Sequence, residues 1–314
     1  MKRSGFSAWL TYLTVRAALA IMWCFPINWN LRSARLFARL WIILLPRHRN
    51  RAIEHLTASF GQEYSSGEIA RIADRSIENA AMFAVEAVCL PRLIDRFTWN
   101  RFIRGVNVQE ALKSILSGRG AVLVTGHYGS FELPAQLLAV LKLEVTAVMR
   151  PLDNVYLNRF IVASRRRHGM RLLDKRGAAA HAEELLADGS LVGFVGDQDA
   201  GRKGIFVNFF GRPASTYKSI GLLAMTTKSP IVVAYCRRLG NVAQYEIGIQ
   251  RVIHPHEWED QADPLRWITQ TYTTAIEQTV RDQPEQYLWI HRRWKSQPKE
   301  RTSAVPATAE ATST

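Results

Sequence analysis

The stretch 121-AVLVTGHYGSFELP-134 places a histidine and a glutamate five positions apart, just where an apolar run ends. His127 follows the run, Gly129 allows a sharp turn, and Ser130 suits the cap of a helix starting at Phe131, with Glu132 in its first turn. Across such a turn the two side chains can face each other. A carboxylate on one imidazole nitrogen fixes the tautomer and leaves the other nitrogen free to take a proton from a hydroxyl. General-base catalysis is the chemistry this pair permits. The competing reading gives Glu132 to the helix dipole and makes His127 an ordinary strand-end histidine. Spacing alone does not choose, because His254 and Glu259 repeat it in the charge-dense loop 254-HPHEWEDQADP-264. That copy has no strand–turn–helix frame and reads as structural.

Three other clusters support the first copy. In 149-MRPLDN-154 an arginine, Arg150, ends an apolar run and is held by Pro151. In 196-GDQDAGRKGIFVNFFGRPAST-216, Asp197 and Asp199 follow another run, and 284-PEQYLWIHRRWK-295 is the third cluster. His127, Arg150, Asp197 and Asp199 thus sit at the carboxyl ends of three apolar runs, where parallel α/β sheets bind their ligands. Other chemistries lack their residues: the chain has no Gly-x-Ser-x-Gly elbow, P-loop, Gly-x-Gly-x-x-Gly or His-Glu-x-x-His. Its three cysteines, Cys24, Cys89 and Cys236, are far apart, which argues against a disulfide framework or zinc site and for a reducing compartment. No metal and no cofactor is expected.

The elements that must carry these residues are legible as a pattern. Short apolar runs at 121–125, 144–149, 190–196, 230–235 and 245–253 alternate with helical periodicity at 131–140, 153–168, 178–188, 217–227 and 264–281. Strands buried on both faces and separated by helices predict an α/β fold with a mainly parallel central sheet flanked by helices. Ahead of the sheet, 66–91 predicts one long helix capped by Ser65 or Ser66 and stopped by Pro91, and 107–118 a shorter one.

Residues 4–31 carry a single charge, Arg16, and are long enough to cross a bilayer. An arginine at mid-bilayer costs at least ~2.5 kcal/mol, which favours a tilted, shallowly embedded helix over a clean span. In 31-LRSARLFARLWIILLP-46, Arg32, Arg35 and Arg39 share one helical face opposite Phe37, Trp41, Leu44 and Leu45, as an interfacial helix on anionic lipid would. The expected division is membrane-anchoring or interfacial helices over 1–47, an α/β body over 48–298 and a disordered tail over 299–314. With 41 Lys and Arg against 27 Asp and Glu, the net charge of +14 calls for anionic company. The basic runs 47–51 and 165–167 contain no aromatics to stack bases, so an anionic membrane surface is expected and nucleic acid is not.

These blocks together resemble the late acyltransferases of lipid A biosynthesis, the lauroyl/myristoyl transferase family of the glycerolipid acyltransferase superfamily. The carriers are His127-Tyr-Gly-Ser-Phe-Glu132, Arg150-Pro151 with Asn154, Asp197-Gln-Asp-Ala-Gly-Arg-Lys-Gly204, Phe209-Phe210-Gly211 and the block 284–295. The resemblance spans roughly residues 8 to 298. It implies transfer of a fatty acyl chain from an acyl-carrier protein thioester, or acyl-CoA, to a hydroxyl of a membrane glycolipid at the cytoplasmic face of the inner membrane. His127 would be the general base and Glu132 its orienting partner. Arg150 would hold an anionic group of donor or acceptor, or steady the oxyanion. Asp197 would be a supporting carboxylate, with Asp199 beside it, and Arg202 and Lys203 would meet phosphate. Arg165, Arg166 and Arg167, with Lys175 and Arg176, would dock an acidic carrier or form a solvated basic face. Relatives in the superfamily acylate different polar lipids, so the resemblance leaves the acceptor open among a lipid A precursor, a phospholipid and a glycosylated phosphatidylinositol.

Overall fold

The computed structural model describes residues 4–149, 151–174 and 178–298. Four helices come first: α1 (Phe6–Trp23), α2 (Ile27–Leu44), α3 (Pro46–Phe60) and α4 (Ser66–Leu93). α4 starts with a reciprocal capping box in which Ser65 and Glu68 satisfy each other's backbone N–H, and Pro91 falls within its last turn. The alternating part then runs β1 (Ile103–Val106), α5 (Gln109–Leu116), β2 (Ala121–Thr125), α6 (Leu133–Val140), β3 (Val145–Met149) and α7 (Val155–Arg167). It continues through β4 (Arg171–Asp174), α8 (Ala178–Ala187) and β5 (Leu191–Val195) to a hairpin, β6 (Ile205–Phe209) and β7 (Arg212–Thr216). α9 (Ser219–Thr227), β8 (Ile231–Arg238), β9 (Tyr245–Ile253), the short α10 (His256–Glu259) and α11 (Pro264–Asp282) complete it.

Seven strands form one sheet in the order β1-β9-β8-β2-β5-β3-β4, parallel throughout except at the β8/β9 pair. The α/β architecture with a mainly parallel sheet is therefore as the alternation of runs implied. The central strands are apolar at consecutive positions because both faces are covered. Val122, Val124, Val192 and Val233 pack on one side with Ile220, Leu223, Ile268, Tyr272 and Ile276 of α9 and α11. Leu123, Leu191, Val145 and Val232 face the other, against Ala111 and Ile115 of α5. β2 and β5 are neighbours in register from Ala121↔Leu191 to Thr125↔Val195. Their carboxyl ends, and whatever follows them, therefore emerge side by side.

α1 is long and apolar enough to cross a membrane, and only Ala8 and Leu19 of it are buried. It leans on α7, where Asn154 Nδ2 donates to the Ala8 carbonyl at 2.9 Å and Tyr12 meets Tyr156 and Phe160. α2 lies on α4 through Leu31, Ala34 and Ala38. Its basic stripe does not all face outward. Arg35 and Arg39 donate to Glu78 of α4 at 3.0 and 2.8 Å, so two of the three arginines expected on lipid are paired with a carboxylate, Arg35 half-buried and Arg39 still exposed. α2 leaves an apolar set exposed, Leu36, Phe37, Leu40, Trp41, Ile43 and Leu44, together with Asn28, Arg32, Ser33 and Arg39. The tail expected over 299–314 lies outside the described residues.

Candidate active site

β2 ends at Thr125, and the chain turns through Gly126, His127, Tyr128, Gly129 and Ser130 before α6. Gly129 has φ +52°, and a Cβ there would lie 2.0 Å from the Cys236 carbonyl oxygen of β8. Only glycine fits this close backbone approach. The turn is held from two sides. Ser130 N donates to the Cys236 carbonyl at 3.0 Å, while Gly129 N donates to the Gln286 carbonyl at 2.9 Å and Leu288 N to the His127 carbonyl at 3.0 Å. The block 284–295, distant in sequence, thus runs beside the histidine.

The imidazole takes its carboxylate from β5's end. Asp197 Oδ1 lies 2.7 Å from His127 Nδ1, and Asp197 Oδ2 accepts from the His127 backbone N–H at 2.8 Å. Asp197 is 2% exposed and the His127 side chain 13%. Burial alone would raise the Asp197 carboxyl, but the His127 charge, its ring N–H and its backbone N–H outweigh burial and hold it well below the usual carboxylate range. Burial alone would lower His127, but Asp197 raises it above its ordinary 6.5, and Glu132 adds to this through space. With Nδ1–H committed to Asp197, Nε2 carries the lone pair. Gln198 Nε2, 3.4 Å from it, marks the side on which a proton donor would approach.

The contact expected between His127 and Glu132 is not made. α6 begins at Leu133 rather than Phe131, with Glu132 at the cap position, and the Glu132 carboxylate pairs with Arg165 of α7 at 2.5 Å. Ser130 does not cap the helix either; its hydroxyl donates to Glu86 inside the protein. The turn therefore sends Ser130 inward, His127 to Asp197 and Glu132 toward α7. His254 and Glu259 likewise form no pair, since His254 Nε2 meets Glu110 at 3.0 Å and Glu259 ends α10.

Beneath the turn lies a buried polar cluster that sequence reasoning missed. Glu86 of α4, 1% exposed, accepts from Arg238 Nε at 2.5 Å, from the Tyr245 hydroxyl at 2.9 Å and from Ser130. Arg238 also donates to Asn79, and the Gln286 side chain spans the backbone N–H and C=O of Arg238, both at 2.9 Å. A signal was available: Glu86 shares the buried face of its helix with Met82, Cys89 and Leu90, where a carboxylate must find a partner. His291 was also missed. Its ring stacks on that of His127 with centroids 5.3 Å apart, and burial pushes its pKa down. Arg293, fully buried, donates to the carbonyls of Gln198 and Ser215 and to Thr216 Oγ1, tying the hairpin to the loop that carries Asp197.

Glu132 and Arg165 stand at one end of an apolar cavity of about 500 Å³. Its walls come from the sheet face of β2, β3 and β5 and from α5 and α6, including Leu112, Leu123, Leu138, Gly193 and Phe194. Phe131 belongs to this wall and also packs edge-on against His127, centroids 5.1 Å apart. A partly open apolar space of this size beside a polar end suits a ligand with a hydrocarbon portion.

The other expected site residues divide. Asp199 accepts from Ser296 N and Oγ at 3.2 and 3.0 Å and from Gly201 N at 3.2 Å, which fastens the terminal segment. Arg202 and Lys203 are exposed on the turn that follows. Arg150, which follows the cavity-lining Met149, and Lys175 and Arg176 lie outside the described residues. Arg166 and Arg167 are exposed, whereas Arg165 is engaged by Glu132.

Comparison with known proteins bears on what this arrangement does. The model of the family described as bacterial lipid A biosynthesis acyltransferase matches residues 2–296. The chain is 25% identical over 301 residues to a lipid A biosynthesis lauroyltransferase of Escherichia coli strain K12, covering 93% of each chain. It is 28% identical over 186 residues to a lipid A biosynthesis palmitoleoyltransferase of the same strain, covering 58% of each. A lipid A biosynthesis acyltransferase of Haemophilus influenzae is 27% identical over 189 residues, 59% of each.

Proposed function

The chain belongs to the bacterial lipid A biosynthesis acyltransferase family, and on that premise we propose that it transfers a fatty acyl chain from a thioester donor to a hydroxyl of a lipid A precursor, with His127 as general base. The observation that carries this reading is an imidazole held by Asp197 at 2.7 Å and separated by one ring, Phe131, from an apolar cavity of about 500 Å³. The acyl chain occupies the cavity and its carbonyl sits at the polar end. His127 Nε2 takes the acceptor's hydroxyl proton as that oxygen attacks the carbonyl carbon. The C–S bond then breaks, and the departing thiolate receives the proton. Asp197 keeps Nδ1–H in place and stabilises the imidazolium; His127 and Asp197 replace His127 and Glu132 as the pair. Glu132 and Arg165 shape the cavity's polar end. Arg150 steadies the oxyanion or holds an anionic group, and Arg202 and Lys203 meet phosphate of a substrate. The donor is an acyl-carrier protein, an acidic partner suited to the exposed arginines 166 and 167. The apolar surfaces of α1 and α2 hold the enzyme on the cytoplasmic face of the inner membrane.

The test is reconstitution: purified protein, acyl-carrier thioester and lipid A precursor should yield an acylated product by mass spectrometry. His127→Ala should lose it. Most activity surviving in that variant would reject the mechanism. Product formed only with acyl-CoA would reassign the donor.

A further inference from the structure

A second, larger concavity of about 780 Å³ opens between α1, the end of α4 and α7. Its lining includes Arg16, Arg92, Arg159, Arg165, Arg167 and His168, and no Asp or Glu among the described residues lines it. Two of the guanidinium groups are steadied by aromatic rings instead of carboxylates. Arg16 sits 4.8 Å from the centre of the Phe160 ring and donates to the Tyr12 hydroxyl at 3.0 Å; Arg92 sits 4.1 Å from the centre of the Trp23 ring. Ring stacking fixes a guanidinium by its face and leaves edge N–H groups for a ligand. Arginines that line one groove, with only Arg165 paired to a carboxylate, match a multiply charged oxyanion. The placement also accounts for Arg16, the one charge in the apolar segment 4–31: it lies against Phe160 of α7 and lines this groove.

Resting on the acyl-transfer reading above, we infer that this groove holds a phosphate ester carried by the acceptor lipid. Two features favour a lipid-borne phosphate. The same helix that supplies Tyr12, Arg16 and Trp23 to the groove exposes Phe6, Trp9, Leu10, Leu13 and Ile21, so the groove's rim lies where apolar surface meets charge, at headgroup depth. Arg165 lines both this groove and the acyl cavity, so an acceptor anchored by its phosphate presents its hydroxyls next to the cavity's polar end.

The experiment pairs kinetics with binding. Acceptors are a lipid A precursor bearing phosphate monoesters and the same lipid after phosphatase treatment. Arg16→Gln/Arg159→Gln, two exposed positions whose replacement should leave thermal unfolding unchanged, should raise KM for the phosphorylated acceptor about tenfold or more. Its kcat, the KM for donor and the KM for the dephosphorylated acceptor should stay within about twofold, and Arg16→Lys/Arg159→Lys should recover part of the loss. Calorimetric titration, which needs no turnover, should show the wild type preferring the phosphorylated lipid and the Gln variant losing that preference. Equal affinity of the wild type for both lipids overturns the proposal, as does a rise confined to the donor's KM, which would give the groove to the carrier. Inorganic phosphate displacing the lipid at equal concentration would assign the groove to free phosphate and overturn the lipid-borne assignment. Selective binding without acyl transfer would leave the groove standing and remove the acyltransferase mechanism instead.

Discussion

For His127, the proposed base, the question is which carboxylate completes it, and kinetics can separate the two candidates. Asp197→Asn should lower kcat by about 10²–10⁴-fold with little change in KM, because Nδ1 loses its charged acceptor. Glu132→Gln, whose partner is Arg165, should cost about tenfold or less. Equal losses in both would return Glu132 to the role its spacing suggested. The pH profile tests the same pair. A base works deprotonated, and Asp197 raises His127 above 6.5, so kcat/KM should rise with pH through an inflection above 6.5. In Asp197→Asn the opposing effect of burial remains, and the inflection should move to lower pH. A wild-type inflection below 6.5 would show that this imidazole is not the titrating base. The histidine itself was legible, because an apolar strand ending in a glycine turn is a local pattern. Its partner was not, because Asp197 lies 70 residues away and is brought near only by the pairing of β2 with β5. Sequence spacing shows which residues end a strand; it does not show which strands are neighbours.

Among elements, the same limit explains what was read and what was missed. The five runs buried on both faces are all strands, whereas β1 and β4 are the two edge strands, half exposed and without an apolar run. The hairpin β6/β7 hid behind polar and turn residues such as Asn208, Gly211 and Pro213. The α4–β8 junction carries its own prediction. Glu86→Ala strands the Arg238 charge in a site where both partners are 1% exposed, and should cost about 3–5 kcal/mol in denaturant unfolding. Gly129→Ala forces a side chain against the Cys236 carbonyl and should lose both stability and activity. On β5, a Cβ on Gly193 would meet only the Thr146 carbonyl oxygen, at 3.9 Å. Gly193→Ala should therefore fold normally and narrow the cavity by a methyl group. With a series of donor thioesters it should shift the preferred acyl chain to shorter lengths, and an unchanged preference would place the chain elsewhere.

For the whole molecule, charge and apolar surface act together. The net charge of +14 should bring the protein to anionic vesicles, and salt should weaken that attraction. The exposed apolar residues of α2 should keep part of the protein bound even in high salt. Phe37→Ser/Trp41→Ser, at about 1.5–3 kcal/mol for each side chain withdrawn from lipid, should weaken vesicle partition at least about a hundredfold in flotation assays. No loss would mean that another surface meets the bilayer. The segment that closes over the histidine turn has a further consequence. Gln286 and Leu288 clamp the turn, His291 stacks on the imidazole, and Ser296 fastens the Asp197–Asp199 loop. During translation, a nascent chain in which α1 and α2 have already met the bilayer lacks these contacts until residue 296 has cleared the ribosome. On the proposed mechanism, a thioester would thus meet no working imidazole before the segment 286–296 has been made.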